Sequence, residues 1–146
     1  MQEIRFYHEF DDYGYFSNYW VAEISVEGKT WASSEHYYQS CKTLDPDYRE
    51  RIRLAPTPDD AKTLGNSPEC VYRSDWDTYK DTAMRIALNA KFRQHDDLKK
   101  LLIESGDAVL IENSATDYYW GCGEDGSGKS MLGKLLMELR SQLIAE

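Results

Sequence analysis

Residues 123–130 read GEDGSGKS, the spacing G-x-x-x-x-G-K-[ST] of a phosphate-binding loop, and a true loop of that kind would force a doubly wound parallel α/β fold. Such a loop leaves a buried strand directly and opens a helix. Its backbone amides then converge on the phosphates while the lysine reaches the terminal ones and the hydroxyl holds Mg²⁺. The nearest strand-like run, Ala108 to Ile111, is separated from Gly123 by ENSATDYYWGC. Beyond Lys129 only the stretch to Glu146 remains, and it reads as one helix, with no room for further βα units or for a second acidic strand to hold the metal. Glu124 and Asp125 inside the loop also oppose a triphosphate. The match therefore reads as a Gly-rich turn before a helix, not as a nucleotide hydrolase.

The rest of the chain supports an α+β class: a single helix-rich domain spanning 1–146 with a small β-sheet. EIRFY alternates as a short strand, and AEISVEGKTW as a strand with a tight turn at Glu27-Gly28. SSEHYYQSCK begins with Ser33 or Ser34 as a helix cap and places Glu35, Tyr38, Gln39 and Lys42 on one face, an unusually polar one. DPDYRERIRLA opens a helix at Asp45-Pro46, and TPDDAKTLG one capped by Thr57, with Pro58 in its first turn and Gly65 as its stop. SDWDTYKDTAMRIALNAKF carries a capping pattern from Ser74 to Asp77, with Tyr79, Ala83, Ile86 and Ala90 at core spacing and Trp76 and Lys91 near another face. DDLKKLLIESG predicts a helix ending at Gly106 and AVLIE a buried strand. The last amphipathic helix packs through Leu132, Leu135, Leu136, Leu139 and Leu143.

A formal net charge of −9 sets the average surface against nucleic-acid backbones and favours a small-molecule partner. The N-terminus MQEIRFYHEF has no apolar signal segment and no run is long enough to span a bilayer, so a cytoplasmic location and no membrane partner are expected. Cys41, Cys70 and Cys122 form no C-x-x-C pair, which reads as three free thiols. His8, His36 and His95 are isolated from one another, and neither H-E-x-x-H nor G-x-S-x-G occurs, so no metal or cofactor is expected.

What remains is a set of carboxylates and aromatics in turn-rich contexts: Glu35 at a helix start, Glu112 at a strand end, Asp117 before YYWG, and Trp76 and Trp120. Carboxylate plus aromatic suits sugar or nucleobase chemistry.

In FYHEFDDYGYFSNYW, VEGKTWASSEHYYQSCK, WDTYKDTAMRIALNAKF and DYYWGCGEDGSGKSMLGKLLMELR, the chain resembles the NADAR family in that family's order, and within it the single-domain YbiA-like N-glycosidases. The resemblance implies hydrolysis of the C–N bond of ribosylamino-pyrimidine 5′-phosphate intermediates of riboflavin synthesis, releasing ribose 5-phosphate. It also offers two alternatives: removal of ADP-ribose from guanine in nucleic acid, and a non-catalytic module that binds ADP-ribose or phosphoribose. Glu35 of SSEHYYQ, Trp76 of WD, and Asp117 and Trp120 of DYYWG match functional family positions, and Gly121 is a further substrate-binding candidate. On the implied reaction, cleavage develops positive charge at C1 of the ribose, which a carboxylate such as Glu35 or Asp117 can stabilise or meet by activating water, while a proton donor helps the amine leave. Lys42 and Lys91 could bind phosphate, or one could attack C1 of an opened ribosylamine as a Schiff-base amine. Asn18, in FSN, could bond ribose hydroxyls or simply serve its turn. An Asn is usual in the family where Ser130 stands here, and that replacement completes the phosphate-loop spelling.

Overall fold

A computed structural model describes residues 2–146. Contacts group them into two units, one of residues 2–20 with 95–146 and the other of 21–94.

In the first unit, β1 (Glu3–Phe6) pairs in parallel with β4 (Val109–Glu112), register running from Glu3 with Val109 to Phe6 with Glu112. Ile4, Phe6 and Leu110 turn inward while Glu3 and Arg5 face solvent, the alternation expected of a half-buried ribbon. A single 3-10 turn, Gly14–Phe16, follows β1. Helix α5 (Asp96–Glu104) ends where Gly106 takes a φ of 65°, and α6 (Met131–Ala145) closes the unit by packing on β4 and α5. All five leucines assigned to the core face of α6 are buried. The close fit depends on Gly133, since a Cβ there would sit 1.8 Å from the Leu110 carbonyl oxygen.

The second unit opens with a hairpin, β2 (Ile24–Val26) and β3 (Lys29–Trp31). Its two-residue turn has φ 58° at Glu27 and 75° at Gly28, the doubly left-handed pair that suits the twist of a short hairpin. The sheet is therefore not one small sheet but two separate two-stranded ribbons, because EIRFY pairs with a strand about a hundred residues away. Helix α1 (Ser34–Ser40) is capped by Ser33, whose hydroxyl accepts from the His36 amide, and it packs on α2 (Pro46–Arg53), α3 (Pro58–Asn66) and α4 (Trp76–Gln94).

Three local expectations need correction. Gly65 does not stop α3 but lies inside it, because a Cβ there would fall 2.0 Å from Gln39 Oε1: the glycine makes room for that amide. Ser74 does not cap α4; the helix starts at Trp76, and the Asp75 carbonyl accepts from the amides of Thr78 and Tyr79. The core stripe of α4 is also rotated, through Ala83, Met84, Ala87, Leu88, Ala90 and Phe92, leaving Tyr79 and Ile86 only half-buried.

Candidate active site

Within residues 21–94, α1 sets the frame. A seven-residue helix whose every residue is buried has no solvent face, so its polar side chains must find partners inside. Glu35, in the first turn, is 6% exposed, and its Oε2 accepts from Gln39 Nε2 at 3.0 Å. The other end of that amide, Gln39 Oε1, has no hydrogen-bond partner and rests against Gly65. A flip of the amide would set that oxygen against the Glu35 carboxylate, so the uncompensated carbonyl is the cost of presenting a donor to Glu35.

Two turns on, Lys42 Nζ donates to Asn66 Oδ1 at 2.8 Å and lies 5.9 and 5.5 Å from the ring centres of Tyr38 and Tyr72. Both tyrosines flank Trp76, with centroids 5.4 and 6.4 Å away, and Tyr72 Oη donates to the Gly65 carbonyl at 3.1 Å. Glu35, Lys42 and Trp76 thus belong to one buried aromatic and polar cluster. Asn66 and Tyr72 were not singled out in the sequence, and Gly65 only as a helix stop. Their only signal there was a small residue followed by Asn at a helix end, which also reads as ordinary stop chemistry.

Lys91 stands at the far end of α4, about 22 Å from Trp76 along the axis at 1.5 Å per residue. The Arg73 amide donates to the Lys42 carbonyl at 2.7 Å, which pins the C-terminal end of α1 to the start of α4. Lys91 is fully buried, its ammonium 5.1 Å from the Phe92 ring, and burial pushes its pKa down to about 7. His36, also fully enclosed, is a structural residue. Its Nε2–H donates to the Ala55 carbonyl at 2.9 Å and its Nδ1 lies 2.7 Å from Ser33 Oγ, while burial outweighs that carbonyl bond and keeps the ring below its ordinary pKa.

Within the other unit, the remaining candidates are organised by the loop from β4 to α6. Asp117 Oδ1 accepts from the amides of Tyr119 at 2.9 Å and Trp120 at 2.8 Å, and the Asp117 amide donates to Ser114 Oγ. That is an Asx turn, a structural duty for half of the carboxylate. Gly121 is buried under the loop, where a Cβ would come within 2.8 Å of Ser114 Cβ and 2.9 Å of the Asp117 carbonyl oxygen. Glu112 ends β4 half-buried, its carbonyl accepting from the Cys122 amide, and Trp120 is half-buried with Tyr119 edge-on at 4.9 Å. Asn18 is buried directly after the 3-10 turn.

An Asp117→Ala change should cost about 1–2 kcal/mol by leaving both amides without an acceptor. Asp117→Asn keeps an oxygen in place, so it should hold the melting temperature within a few degrees while lowering turnover at least tenfold. Unchanged turnover in the Asn variant would reduce Asp117 to its turn.

The phosphate-loop spelling has a direct structural answer. The amides of Gly128, Lys129, Ser130, Met131 and Leu132 donate in turn to the carbonyls of Cys122, Tyr118, Gly121, Tyr119 and Trp120, so the donors that would cradle a phosphate are all used to fasten this loop to α6. Ser130 adopts φ 50°, ψ 46°, and its buried hydroxyl has no partner. The left-handed region tolerates Asn better than Ser, which is a physical reason for the family's usual residue there.

Among the described residues, six helices and two small β-ribbons make this an α+β protein, with a buried acid, an amine of lowered pKa and tilted or edge-on aromatics in its interior. Residues 5–144 match the NADAR domain, and the chain belongs to that family. It is 48% identical to N-glycosidase YbiA of Escherichia coli over 98% of this chain and 89% of that protein. The NMR structure of E. coli YbiA superposes with a TM-score of 0.90 over 99% of this chain and 88% of that one. A riboflavin biosynthesis protein of Vibrio vulnificus is 36% identical over 97% of this chain, which spans 39% of that longer protein. Among the described residues, no helix is long and apolar enough to cross a membrane.

Proposed function

We propose that this chain, an N-glycosyl hydrolase of the NADAR family, cleaves the C–N bond of ribosylamino-pyrimidine 5′-phosphate intermediates of riboflavin synthesis and releases ribose 5-phosphate. The observation that carries the reading is Glu35, a buried carboxylate held by Gln39 on the helix face that also bears Tyr38 and Lys42 beside Trp76. The name of the Vibrio relative supports the riboflavin link, and a net charge of −9 favours a metabolite over a polyanion.

In this reading Lys91, about half neutral at pH 7, is the nucleophile. Ring opening of the ribosylamine gives an imine at C1. The Lys91 amine adds to C1, its proton passes through Glu35 to the pyrimidine amine, and the bond from C1 to that amine breaks, leaving a lysine imine. Water then adds to C1, the bond from C1 to Lys91 breaks, and the aldehyde of ribose 5-phosphate leaves with the amine restored. Lys42 supplies charge for the phosphate and Trp76 shapes the pocket beside it, while in the other unit Trp120 is the candidate for a base contact and Asn18 for a ribose contact. Asp117 is assigned a catalytic role as an acid beyond its turn, and Glu112 and Gly121 shape the loop that carries it and Trp120.

The test is ribose 5-phosphate release from freshly prepared ribosylamino-pyrimidine phosphate, with DNA carrying ADP-ribosylated guanine run in parallel. Turnover of the pyrimidine compound at least a hundredfold faster is expected. Release from the DNA alone would transfer the activity to nucleic acid, and binding without release from either would make the chain a phosphoribose reader.

A further inference from the structure

A cavity of about 300 Å³ lies within residues 21–94. It is lined by Tyr37 and Cys41, the stripe of α1 opposite Glu35, Tyr38, Gln39 and Lys42. Its other walls come from Leu44, Arg49, Arg73, Tyr79 and Ile86. The proposed reaction uses none of these residues.

Two guanidinium groups and a single carboxylate, Glu27, line this space. Arg49 spends Nη1 and Nη2 on Glu27 at 3.3 and 3.1 Å, while its Nε is sequestered from solvent without an acceptor. Arg73 stacks on Tyr79 at 3.8 Å and gives Nε and Nη2 to Asp75, leaving Nη1 with no hydrogen bond. Asp75 lies outside the cavity and its side chain is 51% exposed, so this ion pair is one that an incoming oxyanion can replace at little cost. Glu27 reinforces the point. It holds a left-handed φ of 58° where Gly or Asn fits best, and the Arg49 hydrogen bond keeps its carboxyl below the ordinary range. An acid at that turn position gains from orienting Arg49.

We propose that this cavity binds a small phosphorylated metabolite. Arg73 and Arg49 take the phosphate, and Tyr79, Leu44 and Ile86 cover the carbon skeleton. Occupancy is transmitted through Arg73, whose amide donates to the Lys42 carbonyl and whose carbonyl accepts from the Trp76 amide. A ligand that draws Arg73 inward therefore pulls on the backbone of two residues of the candidate active site.

The probe is inorganic phosphate, titrated at constant ionic strength into the ¹⁵N-labelled full chain and read by amide chemical shifts. Saturable shifts at Val26, Tyr79 and Ile86 are expected, with the affinity reduced at least tenfold in Arg73→Gln. Leu44→Trp, at an exposed rim position, should close the mouth without disturbing the core and abolish the same shifts. Shifts confined to Tyr38, Asn66 and Tyr72 would mean that phosphate enters only the candidate active site, and they would overturn the proposal. So would the absence of shifts up to about 50 mM phosphate, a concentration matching a very weak site. No turnover is measured, so failure here leaves the proposed reaction untouched, and loss of the reaction leaves this site untouched.

Discussion

Lys91→Met should yield a protein that is markedly more stable and at least a thousandfold less active. Lys91 is fully enclosed, and burial lowers its pKa from 10.5 to about 7. The sign follows from proton binding: between those two values the unfolded chain holds a proton that the folded chain does not, so stability is lost as pH falls from about 10.5 toward 7 and changes little below that. At pH 7 the lysine therefore costs the fold about 4 kcal/mol, and near pH 9.5 only about 1 kcal/mol. Met matches the lysine stem in length and carries no charge, so chemical denaturation should show a gain that is largest at neutral pH and fades in alkali. The same substitution removes the amine that attacks C1. Borohydride added with substrate should trap a lysine adduct in the wild type, and mass spectrometry should find none in the variant. An active Lys91→Met enzyme would end the imine route, whereas a lost pH dependence with turnover intact would make Lys91 a burden without a function.

Much of this arrangement was legible in the chain, in places where a local rule acts alone. Ser33 and Thr57 as caps, Pro46 and Pro58 in first turns, the Glu27-Gly28 hairpin and the leucine stripe of α6 each rest on contacts within a few residues. The sequence hid what depends on distant partners. The partner of β1 is β4, whose identity no local pattern encodes. Gly65 carries the same letter whether it ends a helix or admits a glutamine, and only the position of Gln39 decides between them. Asp117 shows the same limit at the candidate site, because an acid before an aromatic pair is equally a catalyst or an Asx turn, and at least one of its oxygens serves the turn. The depressed pKa of Lys91 was also out of reach, since it follows from complete burial on a helix whose core stripe is rotated from the expected one.

Glu35→Gln should lower turnover about a thousandfold, roughly 4 kcal/mol of transition-state stabilisation, with little change in KM and a melting temperature equal to or above that of the wild type. The substitution is isosteric. Gln39 Nε2 now donates to the Glu35 carboxylate at 3.0 Å, and the new amide can offer its own oxygen to the same donor, so the cluster keeps its shape. What disappears is the charge. If Glu35 served only as a first-turn acid on α1, its loss would cost a few tenths of a kcal/mol of stability and leave the rate intact, because helix-dipole interactions are that small. A carboxylate that passes a proton from Lys91 to the leaving amine cannot be replaced by a group that neither gains nor loses one near pH 7. Gln39→Leu adds a second reading of the same site. It deletes the donor that favours the ionised carboxylate, so the acidic limb of the profile of kcat/KM against pH should move to higher pH while the maximum rate falls far less than in Glu35→Gln. A structural role for the pair would show up as lower stability with an unmoved acidic limb. A shifted limb at nearly unchanged stability would identify Gln39 as the residue that tunes the working carboxylate.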